Sequence, residues 1–104
     1  MDTALLSPKT QELKAKVGEA SAFLRKLSNP DRLLVACALV DSERSVRDLE
    51  DSLGIRQPGL SQQLAELREA GLIVGRKEGK QVFYRLADQR VETFIHTMHD
   101  LFCT

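Results

Sequence analysis

The chain carries two cysteines and two histidines, and three of these four residues fall together in its final stretch, HTMHDLFCT. His96, His99 and Cys103 are spaced i, i+3 and i+7, which places them on one face of a helix. The fourth, Cys37, lies far upstream in LLVACALV. Such a set admits two chemistries. As a thiol pair, Cys37 and Cys103 can be joined through sulfur, with a protonated His99, four residues before Cys103, favouring the attacking thiolate. As ligands, Cys37, His96, His99 and Cys103 would suit zinc or a thiophilic metal, although His-x2-His-x3-Cys is not a usual spacing. A direct disulfide requires the two alpha carbons to approach within about 7 Å, a tight demand between two separate helices. Cysteine is among the most buried residue types, so Cys37 is expected in the interior, whereas burial at Cys103, on a helix end, contributes little. There is no CxxC pair, Ser-His-acid set, phosphate loop or paired-carboxylate pocket, so neither an enzyme nor a resident cofactor is expected.

A second group of residues suggests a partner. Fifteen basic and fifteen acidic residues cancel over the chain. Their distribution is uneven. Between Ile55 and Leu86 the basic residues Arg56, Arg68, Arg76, Lys77, Lys80 and Arg85 face only Glu66, Glu69 and Glu78, while Asp41 to Asp51 leans acidic. A local basic face of this kind can meet phosphates despite net neutrality.

Both groups must be positioned by the elements around them. Leu13, Val17, Ala20, Leu24 and Leu27 step by three and four and predict a helix from Lys9 to Leu27 with one apolar seam. Asn29-Pro30 caps and opens a second helix, expected to carry Leu33, Leu34, Cys37 and Val40 inward. Ser45 and Asp48 form a capping-box pattern for a short helix ending at Gly54, and Pro58 opens another with an inward face of Leu60, Leu64 and Leu67, ending at Gly71. Two short helices around Gly-Ile-Arg-Gln read as a helix-turn-helix. Leu72-Ile73-Val74 and Val82-Phe83-Tyr84 flank Lys77-Glu78-Gly79-Lys80, a hairpin with a charged tip. Val91, Phe94, Ile95, Met98, Leu101 and Phe102 give the last helix a broad apolar stripe.

The expected fold is mainly α with a small β-hairpin, a winged helix-turn-helix in the order α-α-α-α-β-β-α, forming one domain over residues 1–104. The recognition helix would offer Arg56, Gln57, Ser61, Gln62 and Gln63 to base edges in the major groove, and Arg76, Lys77 and Lys80 at the wing would meet phosphates or the minor groove. A protein-interaction module is the competing use of the fold. The first and last helices are expected to bury each other across a two-fold axis in a homodimer that reads double-stranded operator DNA. MDTALLSPKTQELKAK has neither the order of a signal peptide nor an apolar run long enough for a span, so a cytoplasmic location without a membrane partner is expected.

LSNPDRLLVACAL, SVRDLEDSLGIRQPGLSQQLAELREAGLIVGRKEGKQVFYRLAD and the final helix together resemble the ArsR/SmtB family of dimeric winged-helix repressors. The resemblance covers the chain from about Leu24 onward. Its most specific parts are the L-x-x-A-G-L-I junction and a wing ending in Y-x-L. It implies a repressor whose DNA affinity falls when a ligand or modification is sensed. The family's arsenic-type cysteine cluster has no counterpart in Ser45-Val46-Arg47-Asp48-Leu49. Its zinc-type site begins D-x-H, where Asp88-Gln89-Arg90 lacks the histidine, and Leu101 and Thr104 occupy the later ligand positions. With QPGLSQQL and one cysteine in each of the second and last helices, the chain is most similar to the SqrR/BigR type, which senses persulfides and related reactive sulfur. That similarity implies Cys37 and Cys103 as sensor positions. A related pair in HlyU-type regulators leaves the controlled genes open between sulfide detoxification and virulence. Arg56 replaces the serine often found before the recognition helix, which leaves that helix without an assigned cap.

Overall fold

Side-chain acceptors, two of them ahead of prolines, set most of the helix starts. Ser7 Oγ accepts from the Thr10 amide at 3.2 Å just before Pro8, opening α1 (Pro8–Leu27). Asn29 Oδ1 accepts from the Arg32 amide at 3.0 Å just before Pro30, opening α2 (Pro30–Asp41). Each acceptor satisfies an amide that the first helical turn leaves unpaired. After the short strand β1 (Arg44–Ser45), Ser45 Oγ accepts from the Asp48 amide at 3.0 Å and opens α3 (Val46–Leu53). Gly54 ends α3 at φ +69°, a left-handed conformation that favours glycine. There follow α4 (Gly59–Glu69), β2 (Ile73–Glu78), β3 (Gln81–Leu86) and α5 (Gln89–Phe102). The computed structural model describes residues 5–103.

The expected helices and hairpin are present, with one further strand. The sheet is antiparallel in the order β1-β3-β2, with Arg44 opposite Tyr84 and Ser45 opposite Phe83. Two residues are too few for an alternating pattern to reveal β1 in sequence. The wing strands also run further than expected, so Lys77 lies in β2 opposite Val82 and only Gly79-Lys80 turns. Gly75 pairs with Tyr84, and a Cβ there would lie 2.8 Å from the Tyr84 ring, so the tyrosine can cross β2 only at a glycine.

The core joins Leu27, Val35, Leu39, Leu49, Leu60, Leu64, Leu67, Leu72, Ile73, Tyr84, Val91 and Ile95. The phase of α2 differs from expectation. Val35, Ala36 and Leu39 are buried and Leu33 and Val40 half-buried, whereas Leu34 and Cys37 are exposed. LLVACALV is apolar all round and contains no polar residue to mark its outer face. Packing against α4, α5 and β3 therefore decides which side turns in.

The terminal helices meet partly within the chain. Phe23 of α1 and Phe94 of α5 make an edge-to-face contact with ring centroids 5.7 Å apart, and Arg90 stacks its guanidinium over Phe23 at 5.2 Å while pairing with Glu19 at 3.2 Å. Beyond that contact, every α1 residue from Pro8 to Glu19 is exposed. Leu13, Val17 and Leu24 on α1 and Leu101 and Phe102 on α5 are more than half exposed.

Leu67 is wholly buried beneath the helix-turn-helix. Leu67→Ala is expected to lower folding stability by about 3 kcal/mol, through lost transfer free energy and a residual cavity, as a reduced urea midpoint at unchanged m value.

Candidate functional site

The recognition helix α4 takes its cap from an unexpected residue. Pro58 has no side-chain acceptor to offer. Instead Gln57 Oε1 accepts from the Ser61 amide at 3.0 Å and from Ser61 Oγ at 2.6 Å, while its Nε2 donates to Glu50 Oε1 at 2.9 Å. Both ends of the amide are used to fix the first turn of α4 against α3. Gln57, expected from sequence to face DNA bases, is exposed and in the DNA-free chain is bonded within the helix-turn-helix, with Ser61 tied to it.

Gln63 is also turned inward. It is half-buried, and its Oε1 accepts from Arg32 Nη1 at 2.8 Å. Arg32 Nε donates to the Lys26 carbonyl at 2.6 Å, and Lys26 Nζ pairs with Glu66 Oε2 at 2.5 Å. The Lys26 ammonium holds the Glu66 carboxyl below its usual range by hydrogen bond and charge. Gln63 and Glu66 lie three apart on one helical face, so the α1–α2 corner grips the side of α4 away from Gln62. The sequence marked Arg32 only as part of a helix, because its partner is remote in the chain. Arg56 and Gln62 remain exposed.

At the wing, Arg76 is engaged by acids. It pairs with Glu43 at 2.6 Å and Glu78 at 2.8 Å and lies over the Phe83 ring at 4.7 Å. Hydrogen bonding to Arg76 holds the Glu43 carboxyl down. Lys77 and Lys80 are exposed. A polar cleft of about 690 Å³ separates the wing from the start of α3, lined in part by Lys80, Gln81, Arg47 and Glu50. Arg47, absent from the sequence-based set, joins Lys80 as a second cation at that cleft.

The two cysteines line one cleft between α2 and α5. It has a volume of about 500 Å³, and Leu33, Val40, Asp41, Ile95, His96, Met98, His99 and Phe102 complete its walls. Cys37 faces it because α2 turns its other side to the core. Cys103 closes it from the end of α5, where its amide still donates to the His99 carbonyl at 2.8 Å. Both thiols are unbridged. Partial burial pushes the Cys37 thiol up, and the proximity of Cys103 adds to the rise because two thiolates would repel. His96 and His99 line the same cleft, yet their nearest acids are Glu92 and Asp100, each at 3.9 Å. Among the described residues no three His, Cys, Asp or Glu side chains are grouped closely enough to hold a metal ion. Cys37, His96, His99 and Cys103 thus share a cavity without converging as ligands.

Because the folded chain favours the neutral Cys37 thiol, its thiolate should accumulate only above the ordinary cysteine range. Alkylation of Cys37 in a Cys103→Ser variant, followed by mass against pH, is expected to show a midpoint higher in the folded chain than in urea. Restoring Cys103 should raise that midpoint further.

Comparison with known proteins places this geometry. The model of the arsR family of bacterial regulatory proteins matches residues 29–74, from the α2 cap to the start of β2. The biofilm growth-associated repressor of Agrobacterium fabrum is 45% identical over 91 residues, which span 88% of this chain and 78% of that protein. The crystal structure of the transcriptional repressor BigR from Xylella fastidiosa superposes with a TM-score of 0.89 at 39% identity, over 91% of this chain and 97% of that one. Reduced HlyU from Vibrio cholerae superposes with a TM-score of 0.83 at 39% identity, over 90% and 99%. With relatives at 39–45% identity covering 88–91% of its length, the chain belongs to the ArsR family of winged-helix, DNA-binding transcriptional regulators.

Proposed function

We propose that the protein is a homodimeric repressor that holds a two-fold operator while its thiols are free and releases it once Cys37 and Cys103 are joined through sulfur donated by a persulfide. The observation that carries this reading is that α2 and α5 present both cysteines to one cleft. The dimer is supported by α1, a twenty-residue helix whose first half touches little of its own chain and whose Leu13 and Val17 are 57% exposed. An isolated helix of that length gains most of its stability from packing, which a second copy would supply. No helix among the described residues is long and apolar enough to cross a membrane. That HlyU is described in a reduced form makes thiol state a variable worth testing in this chain as well.

The chemistry balances without an added oxidant. With Cys37 held as the thiol, the Cys103 thiolate attacks the outer sulfur of a persulfide R–S–SH, forming Cys103–S–SH and expelling R–S⁻. Cys37, once deprotonated, attacks the inner sulfur, its pair forming the Cys37–Cys103 bond as HS⁻ leaves. If both cysteines have taken up sulfur, Cys37–S–S⁻ attacks the inner sulfur of Cys103–S–SH, giving a trisulfide and HS⁻. The longer link spans a wider gap than a disulfide does.

On the DNA side, Arg56 and Gln62 meet the major groove, and Lys77, Lys80 and Arg47 meet phosphates, while Gln57, Gln63 and Arg76 hold the elements in place. Gln62→Ala is expected to reduce discrimination between operator and random duplex by about tenfold. Lys80→Ala should weaken both duplexes alike and lower the slope of log affinity against log salt by about one. Arg32→Ala should weaken operator binding with the slope unchanged. Anisotropy titrations at several salt concentrations separate the three outcomes.

The sensing step is tested by intact mass and operator binding after exposure of the reduced protein to a persulfide or a peroxide. Added sulfur, or the loss of two hydrogens in a direct disulfide, should accompany at least about fivefold weaker binding, and Cys103→Ser should abolish the response. Unchanged binding after complete modification would overturn the reading. Release of DNA by a metal alone would favour the ligand set instead, and failure to bind any duplex would favour a protein-interaction role.

A further inference from the structure

Resting on the thiol-pair reading, we propose that the cleft between α2 and α5 selects its sulfur donor by the carrier group, taking persulfides on small, apolar, uncharged carriers in preference to those on charged peptides.

The walls argue for this choice. Around the two cysteines, Leu33, Val40, Met98 and Phe102 present mainly hydrocarbon and thioether surface, and the volume of about 500 Å³ suits a small organic group. Phe102 is 79% exposed, so a carrier lying against it would remove apolar area of both partners from water. Among the described residues lining the cleft there is no lysine or arginine, its one carboxylate is Asp41, and its remaining polar side chains are the imidazoles of His96 and His99. A carrier bearing carboxylates, such as glutathione, would find no fixed cation and would meet a like charge. Against walls that are otherwise hydrocarbon and thioether, desolvating its charges would be offset by the two imidazoles alone. An apolar carrier meets neither cost.

The transfer is the one already written. The Cys103 thiolate forms a bond to the outer sulfur, and the S–S bond of the donor breaks with its electron pair leaving on the carrier as R–S⁻. The walls act on R, which is why the carrier and not the sulfur carries the selectivity.

The test uses the reduced full chain with benzyl persulfide and with glutathione persulfide as donors, following sulfur uptake by intact mass. Each rate is divided by that of the same chain unfolded in concentrated urea, which removes the intrinsic reactivity of the donor. The normalised rate for the benzyl donor is expected to exceed that for the glutathione donor by about tenfold or more. Asp41→Lys, at an exposed position, and Phe102→Lys, exposed in the single chain and accepted only if size exclusion shows an unchanged oligomeric state, should shrink that ratio several-fold by adding a cation to the rim. A normalised ratio near one in the unaltered chain, or a ratio unmoved by both substitutions, would overturn the proposal. Operator binding measured on the same samples reports separately on sensing: binding retained after full modification removes the switch, while the rate ratio still decides the donor.

Discussion

The second helix is a shared wall, and the rest of the structure depends on how its two sides are used. Val35, Ala36 and Leu39 pack one side into the core, while Cys37 and the half-buried Leu33 and Val40 line the thiol cleft on the other. At its first turn Arg32 reaches both the Lys26 carbonyl and Gln63 of the recognition helix. A close-packed core does not absorb a displacement of such a helix by compressing. A sulfur link drawing α5 toward α2 would therefore press on α4, with Arg32 as a direct polar connection between the two. Transmission in this account is mechanical and short, crossing a single helix from the cysteine to the DNA-facing element.

The same economy governs charge. The chain is neutral overall, and several of its cations are spent internally: Arg76 on Glu43 and Glu78, Arg90 on Asp88 and Glu19, Arg44 on Asp48. These are partly exposed pairs of small energetic weight, and their larger effect is to fix geometry. Arg76 braces the wing against the segment before β1. That bracing leaves Lys77 and Lys80 presented on a defined hairpin, with Arg47 across the cleft.

Much of the fold was legible because its signals are local. Asn29-Pro30, Ser45 with Asp48, and the glycines at 54 and 71 each act within a few residues, and each sits where the spacing predicts. The hairpin was legible for the same reason, from two short apolar runs around a charged, glycine-bearing tip. What sequence did not reveal is set by contacts between distant segments. The phase of α2 was hidden because LLVACALV is apolar on every side. β1 was too short to show a period. Gln57, Gln63 and Arg76 carry side chains suited to DNA, yet their partners Glu50, Arg32 and Glu43 come from other elements, and no local pattern announces such pairings. The thiol cleft was legible in part: the types and helices of Cys37 and Cys103 were readable, their common cavity and its apolar walls were not.

If thiol state reaches the recognition helix through α2, amide hydrogen exchange on the DNA-free protein, reduced and then sulfur-linked, will register it. Altered protection is expected in α5, in α2 around Arg32 to Cys37, and in α4 around Ser61 to Leu67. A change confined to the end of α5, with α2 and α4 exchanging identically in both states, would contradict it.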